Sequence, residues 1–187
     1  VVVDADGRVR TGDLESDQPT AIARTTAGLL VVGTADGRVL VYDNDFAKKH
    51  DVDRFVRVDS VTAAPESAEG LDGQVVVLDR AQSSVTPVDP ESGELGPALR
   101  AGNGATNSTV DEFGRVLVAN TRDGEILGFF GSPLVMRFRY PVAGGPYAVD
   151  YDDTRDLLWV STTGDNEVVA FDLADGEPTE AVSYTHL

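Results

Sequence analysis

Short hydrophobic runs occur in pairs along this chain, and each pair is joined by a sequence typical of a tight turn. Residues 29–34 and 38–43 are rich in apolar and β-branched side chains and flank Asp36-Gly37. An Asp-Gly pair tolerates the positive φ that a two-residue hairpin turn requires. Similar pairs of runs surround three further turn sequences, at 80–83, 122–124 and 164–166. The pattern therefore predicts a series of antiparallel β-hairpins.

The hairpins belong to a longer unit that repeats along the chain. Three segments align with one another: 19–43, 105–130 and 146–172. Their equivalent apolar positions are Leu30, Val116 and Leu157, of which the last two are 41 residues apart and the first two are 86 apart, or two units of 43. Residues 74–79 supply the central strand of the unit between them. A period of about 40–45 residues built from short strands is typical of a β-propeller and predicts an all-β fold of that class.

The character of the runs predicts where each strand lies within its unit. Residues 29–32 and 74–78 are almost continuously apolar, which is typical of central strands buried on both faces. Residues 54–59 and 136–140 alternate apolar side chains with arginine. We interpret these two segments as outermost strands whose charged residues protect an unpaired edge.

The repeats predict a single β-propeller fragment over residues 1–187, with about four to four and a half blades of a seven-bladed parent. Residues 1–18 are assigned to the end of a preceding blade. Complete blades are placed at 19–59, 60–104, 105–145 and 146–184. Because blades bury their faces against their neighbours, an incomplete ring exposes apolar surface. We therefore expect the 187-residue chain to express poorly or to self-associate, and a parent with the missing blades to be a soluble monomer.

The last residues of the chain depart from the repeat. Residues 182–187 resemble a translated adapter sequence of the kind carried into metagenomic proteins. On this interpretation His186 is not native, and His50 is the only native histidine. The alternative is that 182–187 forms a final strand.

Composition narrows the classes of protein that this chain can belong to. The chain has 32 acidic and 15 basic residues, which gives a formal net charge of −17. Most of the acids occur in turn sequences, where we expect them to be solvated. The charge disfavours nucleic acid as a partner, because phosphate binding needs a basic surface. The absence of cysteine excludes disulfides and thiol nucleophiles, and no apolar run reaches the length of a membrane-spanning helix.

Two sets of motifs resemble known propeller families. Residues 146–149, 157–161 and 165–172 are similar to the Tyr-Val-Thr-Asn (YVTN) repeat of the YncE-like propellers. Nearly the whole chain resembles an actinobacterial lipoprotein family of the LppL type, through residues 55–60, 76–86, 99–106 and 114–122. This resemblance implies an extracytoplasmic WD40/YVTN repeat-like propeller, held to the membrane by a lipid anchor at an N-terminus that precedes Val1. It implies no catalytic residues.

The channel-facing candidates for a ligand site are Thr20, Thr106 and Tyr147, at the positions where innermost strands begin. Calcium-dependent lactonase propellers place Asn, Asp or Glu ligands at the corresponding positions. Threonine and tyrosine are weak calcium ligands, so we expect no metal. Asn107 is one position later and is expected to point to the other side of its strand. We also expect no Ser-His-Asp triad, since His50 lies in a polar segment interpreted as a loop and the chain has no Gly-x-Ser-x-Gly motif.

These observations favour a non-catalytic extracytoplasmic propeller that acts as a ligand-binding or protein-interaction scaffold of the cell envelope. Its expected partner is a protein or a small ligand in that compartment, without nucleic acid and without a cofactor. Membrane association is expected only through the lipid anchor. The alternative is a propeller hydrolase or lyase, similar to a lactonase, whose catalytic residues lie in blades outside this chain.

Overall fold

The computed structural model describes residues 2–3, 6–12, 18–174 and 178–185. This part of the chain consists of β-strands and turns, and it contains no helix long and apolar enough to cross a membrane. Two short strands, β1 (Val2–Val3) and β2 (Val9–Arg10), form a two-stranded antiparallel sheet. The other strands form four antiparallel sheets of four strands each.

Each four-stranded sheet is one blade, and its strands are adjacent in chain order. The first blade contains β3 (Pro19–Arg24), β4 (Leu30–Thr34), β5 (Arg38–Tyr42) and β6 (Lys48–Asp53). The second contains β7 (Ser60–Ala63), β8 (Val75–Asp79), β9 (Ser84–Val88) and β10 (Leu99–Arg100). The third contains β11 (Ala105–Val110), β12 (Val116–Asn120), β13 (Glu125–Phe130) and β14 (Val135–Pro141). The fourth contains β15 (Pro146–Asp152), β16 (Leu157–Thr162), β17 (Glu167–Asp172) and β18 (Thr179–Thr185). The predicted all-β propeller fold is confirmed.

Apolar side chains fill the spaces between neighbouring blades. They include Val31, Val41 and Val77 between the first and second blades, Val76, Val118 and Leu127 between the second and third, and Leu117, Ile126 and Leu158 between the third and fourth. Consecutive residues of a strand point to opposite faces, so a central strand such as β8 contributes side chains to the apolar clusters on both sides of its blade. This is why the central strands are continuously apolar, as predicted.

The first strand of each blade contacts the first strand of the next, so β3, β7, β11 and β15 are the innermost strands. Within an antiparallel blade, the segment leading into the first strand and the turn between the second and third strands lie at the same end. We call this end the mouth face. It includes the connecting segments 54–59, 101–104 and 142–145 and the turns 80–83, 121–124 and 163–166.

Two predictions about the first blade are wrong. Its outermost strand is β6 (Lys48–Asp53), paired with β5, whereas residues 54–59 connect the first blade to the second. Alternation of apolar and charged residues suits an edge strand, but here Phe55 and Val58 pack into the core between the two blades. His50, interpreted from the sequence as a loop residue, lies in β6.

The outermost strands of the third and fourth blades contain one segment predicted to be an edge strand and part of the segment 182–187. Residues 136–140 lie in β14, as predicted. Residues 182–185 continue β18, which pairs with β17. Val1 and the last two residues of the segment 182–187, His186 and Leu187, lie outside the described part of the chain.

Aspartates hold many of the turns in place. In five turns an aspartate carboxylate accepts a hydrogen bond from the backbone N–H two residues later: Asp43, Asp89, Asp111, Asp152 and Asp172. Partial burial of Asp89 favours its neutral form, but hydrogen bonds from the Ser92 hydroxyl and from backbone N–H groups outweigh this and hold its pKa below the usual value. Part of the acidic composition is therefore structural as well as solvated.

Candidate functional site

The mouth face of the second to fourth blades carries an open basin of about 690 Å³, which we call the arginine basin. Its lining residues are Arg57, Asp59, Arg80, Ala81, Gly104, Ala105, Thr106, Thr121, Arg122 and Tyr147. They come from connecting segments, from turns between second and third strands, and from the start of innermost strands. The basin therefore forms only because three blades stack side by side.

Two carboxylates fix the backbone beneath Arg57 and Arg80. The Asp79 carboxylate is fully buried and accepts hydrogen bonds from the backbone N–H groups of Val56 and Arg57, at 2.8 and 3.2 Å. In return, Asp59 accepts a hydrogen bond from the backbone N–H of Arg80 at 2.9 Å. Each arginine is thus held by an acid from the neighbouring segment, and both are presented from a fixed main chain.

A second network fixes the opposite wall. The hydroxyl oxygens of Thr106 and Thr121 lie 2.6 Å apart, and Thr106 Oγ1 also donates to the backbone carbonyl of Tyr147 at 3.1 Å. Asn107 Nδ2 donates to the same carbonyl at 2.9 Å. These contacts join the third blade to the fourth and set the positions of Tyr147 and of Arg122, which follows Thr121.

The residues that line the basin carry more positive than negative charge. Arg57 Nε lies 2.7 Å from Asp59 Oδ1, so these two charges form an ion pair. The guanidinium of Arg80 lies 6.0 Å from the ring centroid of Tyr147. Within the described residues, the guanidinium groups of Arg80 and Arg122 make no hydrogen bond and no ion pair. Two exposed arginines whose guanidinium groups have no partner among the described residues therefore line one basin, in a chain whose net charge is −17.

The three channel-facing candidates occupy different environments. Thr106 and Tyr147 line the basin, whereas Thr20 lies in the first blade and its hydroxyl donates to the carbonyl of Val58. Thr62 makes the same kind of contact with a carbonyl of the third blade at 3.2 Å. The threonine hydroxyls thus hydrogen-bond neighbouring blades together. The Tyr147 side chain is 39% exposed and so has free surface in the basin.

The prediction for Asn107 is wrong. A register shift between Ala105 and Asn107 interrupts the regular alternation of β11. Thr106 and Asn107 consequently reach the same carbonyl, that of Tyr147, instead of pointing to opposite sides.

Sequence reasoning missed the arginines of the basin. Arg57 was assigned to an edge strand, and Arg80 and Arg122 were treated as ordinary turn residues. A signal was present, because Arg80 and Arg122 follow the buried ends of equivalent central strands, Asp79 and Asn120, within two residues. Equivalent turns of adjacent blades lie close together, so this recurrence could have indicated the site.

The described residues also bear on the metal and histidine chemistry considered from the sequence. They contain no group of three or more His, Asp or Glu side chains placed to hold a metal ion. His50 lies in outermost strand β6, where its Nε2 is 2.7 Å from the backbone oxygen of Glu91. It therefore lies on the first blade, which contributes no residue to the basin.

A second cavity of about 510 Å³ lies between the third and fourth blades, at the end opposite the mouth face. Its lining includes Phe113, Phe138, Tyr151 and Arg115. Arg115 forms an ion pair with the fully buried carboxylate of Asp111. It also donates to Tyr151 Oη at 3.3 Å, and burial raises the pKa of Tyr151 well above its usual value. The charge of Arg115 in this cavity is therefore already paired.

No protein-family model and no curated protein sequence matches this chain. Among solved structures, it is similar to virginiamycin B lyase from Staphylococcus aureus, with 12% identity and a TM-score of 0.76 over 98% of this chain and 61% of that one. A streptogramin B lyase gives 13% identity and a TM-score of 0.77, again over 98% and 61%. Hydrazine synthase from Kuenenia stuttgartiensis gives 17% identity and a TM-score of 0.76, over 96% and 53%.

These structures are propeller-type proteins, and the present chain has the β-propeller fold with four blades described. At such low identity the likeness concerns the fold alone. The chain spans about three fifths of the length of the lyases that it matches.

Proposed function

We propose that this chain is part of a non-catalytic binding propeller and that the arginine basin is its ligand site. The observation that carries this proposal is the fixed main chain around the basin. Hydrogen bonds that Asp79 and Asp59 accept from backbone N–H groups, and one that Thr106 donates to a backbone carbonyl, hold the segments that present its side chains. A site whose backbone is already ordered loses little conformational entropy when a ligand binds.

The groups in the basin support binding and not bond cleavage. Asp59 is its one acidic lining residue, and its two oxygens are engaged by Arg57 and by the backbone of Arg80. The hydroxyls of Thr106 and Thr121 hydrogen-bond each other and carbonyls of the fourth blade. Neither the carboxylate nor the two threonine hydroxyls is then free to act as a general base or as an activated nucleophile. The hydrolase or lyase alternative depends on residues of other blades.

A substitution that fills the basin with a large side chain tests this function. Ala81 is exposed and lines the basin, so Ala81→Trp places an indole ring in it. We expect compounds from a panel of neutral and charged small molecules to raise the Tm of the wild-type protein, and to have no effect on this variant. Ala174→Trp, at the cavity on the opposite end, is the matched control and should keep the response.

Equal responses from both variants, or catalytic turnover of a compound that binds, would contradict the proposed function. Circular dichroism and the Tm without ligand establish that each variant is folded.

We also propose that the protein lies outside the cytoplasm, in the cell envelope. The resemblance of residues 55–60 and 76–86 to the LppL-type lipoproteins supports this. Fractionation of cells that produce the full-length protein is expected to place it in the envelope fraction. Recovery in the cytoplasmic fraction alone would contradict this location.

A further inference from the structure

We propose that the arginine basin binds a small ligand that carries an oxyanion, a phosphate or a carboxylate, on a flat ring. This inference rests on the proposed function, because it assigns a chemical class to the ligand of the same site.

The oxyanion follows from how arginines are paired elsewhere in the described chain. The guanidinium groups of Arg8, Arg10, Arg24, Arg38, Arg54, Arg57, Arg100, Arg115, Arg137, Arg139 and Arg155 each make a hydrogen bond or an ion pair. Arg80 and Arg122 are the two whose guanidinium groups make neither, and both line the basin.

Two arginines without a hydrogen bond or an ion pair are unexpected in this chain, because its acidic residues outnumber its basic residues by 32 to 15. A nearby carboxylate could have neutralised either arginine, yet the one acid in the basin, Asp59, is engaged by Arg57 and by the backbone of Arg80. Guanidinium groups bind carboxylates and phosphates through paired, charge-assisted hydrogen bonds. The two unpaired groups therefore indicate an anionic ligand.

The ring of the proposed ligand is inferred from Tyr147 and from the size of the basin. The Tyr147 side chain is 39% exposed, and its main chain is held by Thr106 and Asn107. An exposed aromatic ring on an ordered main chain offers a flat surface on which an unsaturated ring stacks. The volume of about 690 Å³ suits a small organic molecule and exceeds what an isolated inorganic anion fills.

The ligand is expected to be small because the rest of the surface is acidic. A long polyanion such as a nucleic acid would meet the repulsion of a net charge of −17 as well as the attraction of the basin. A ligand confined to the basin interacts mainly with the local positive charge, since salt screens charges more than about 10 Å away.

Isothermal titration calorimetry with four probes tests the inference: phenyl phosphate, inorganic phosphate, benzoate and phenol. Phenyl phosphate is expected to bind the wild-type protein about tenfold more tightly than inorganic phosphate, through stacking on Tyr147. Phenol is expected not to bind, and a rise in salt should weaken the binding of phenyl phosphate. Comparison with benzoate shows whether the oxyanion is a phosphate or a carboxylate.

Variants assign the two parts of the ligand to residues. Arg80→Gln and Arg122→Gln should each weaken phenyl phosphate binding about tenfold, a typical effect of removing one charge-assisted hydrogen-bonding group. Arg54→Gln, an exposed arginine outside the basin, is the matched control and should change nothing. Tyr147→Leu should remove the advantage of phenyl phosphate over inorganic phosphate and leave the affinity for inorganic phosphate unchanged.

Unchanged affinity in both basin arginine variants, or binding of phenol as tight as that of phenyl phosphate, would overturn the inference. So would a wild-type protein that binds none of the anions. If Ala81→Trp then abolishes the binding of a neutral compound, the proposed function stands and the ligand class is wrong. If Ala81→Trp abolishes the Tm shift of none of the compounds, both proposals fail.

Discussion

Replacing Asp111 with alanine is expected to lower the free energy of unfolding by about 4 kcal/mol, as for a buried ion pair that loses one partner. The carboxylate of Asp111 is fully buried and pairs with Arg115, whose side chain is only 16% exposed. The variant leaves that guanidinium mostly buried without a counter-charge. It also removes the acceptor for the backbone N–H groups of Phe113 and Arg115, at 3.0 and 2.8 Å. Urea denaturation measures the change.

Asp152→Ala is a closely matched control for this experiment. Asp152 also fixes a turn through the backbone N–H of the residue two positions later, and it pairs with Arg155 at 2.6 Å. The Arg155 side chain is 69% exposed, so solvent screens the charge that the variant leaves behind. We expect a much smaller loss of stability than for Asp111→Ala. Similar losses for Asp111→Ala and Asp152→Ala would contradict the argument from burial.

Replacing Asp79 with alanine is expected to lower the free energy of unfolding by about 3 kcal/mol, because its buried carboxylate accepts several backbone hydrogen bonds. The N–H groups of Val56, Arg57 and Gln82 lose their acceptor. Since these bonds fix the segment that carries Arg57, binding of phenyl phosphate should weaken as well. Urea denaturation and calorimetry measure the two effects.

Asp36→Ala is the control for Asp79→Ala. Asp36 lies in the equivalent turn of the first blade and is exposed. Its replacement should change stability by no more than about 0.5 kcal/mol and leave ligand binding unchanged. A loss of stability below about 1 kcal/mol for Asp79→Ala would mean that water replaces the lost acceptor.

The fold was predictable because its repeats are local in sequence. Each blade is formed by consecutive strands, and turn residues such as Asp36-Gly37 mark where one strand ends and the next begins. The continuous apolar run 75–78 identified a strand buried on both faces, because such a strand packs against a neighbouring sheet on each side.

The error at residues 54–59 has a physical reason. Alternating apolar and charged residues describe an edge strand, but they also describe a connecting segment held to a neighbouring blade. Here the backbone N–H of Val58 donates to the carbonyl of Thr34, and those of Val56 and Arg57 donate to Asp79. Such contacts depend on residues that are distant in sequence, and a local pattern does not reveal them.

The basin was harder to predict for the same reason. Its arginines lie in three separate segments, around residues 57, 80 and 122, and Tyr147 belongs to a fourth. Only the stacking of three blades brings them together. Which arginines are paired depends on the positions of carboxylates such as Asp59, and composition says nothing about that.

The central claim is that the arginine basin is the binding site of this propeller and that its ligand is an anion on a ring. A crystal structure of the protein saturated with phenyl phosphate tests it most directly. The account predicts phosphate oxygens at about 2.7–3.2 Å from guanidinium nitrogens of both Arg80 and Arg122, with the phenyl ring against Tyr147. An empty basin at saturating ligand, or an ordered phenyl phosphate molecule at a different site on the protein, would contradict it.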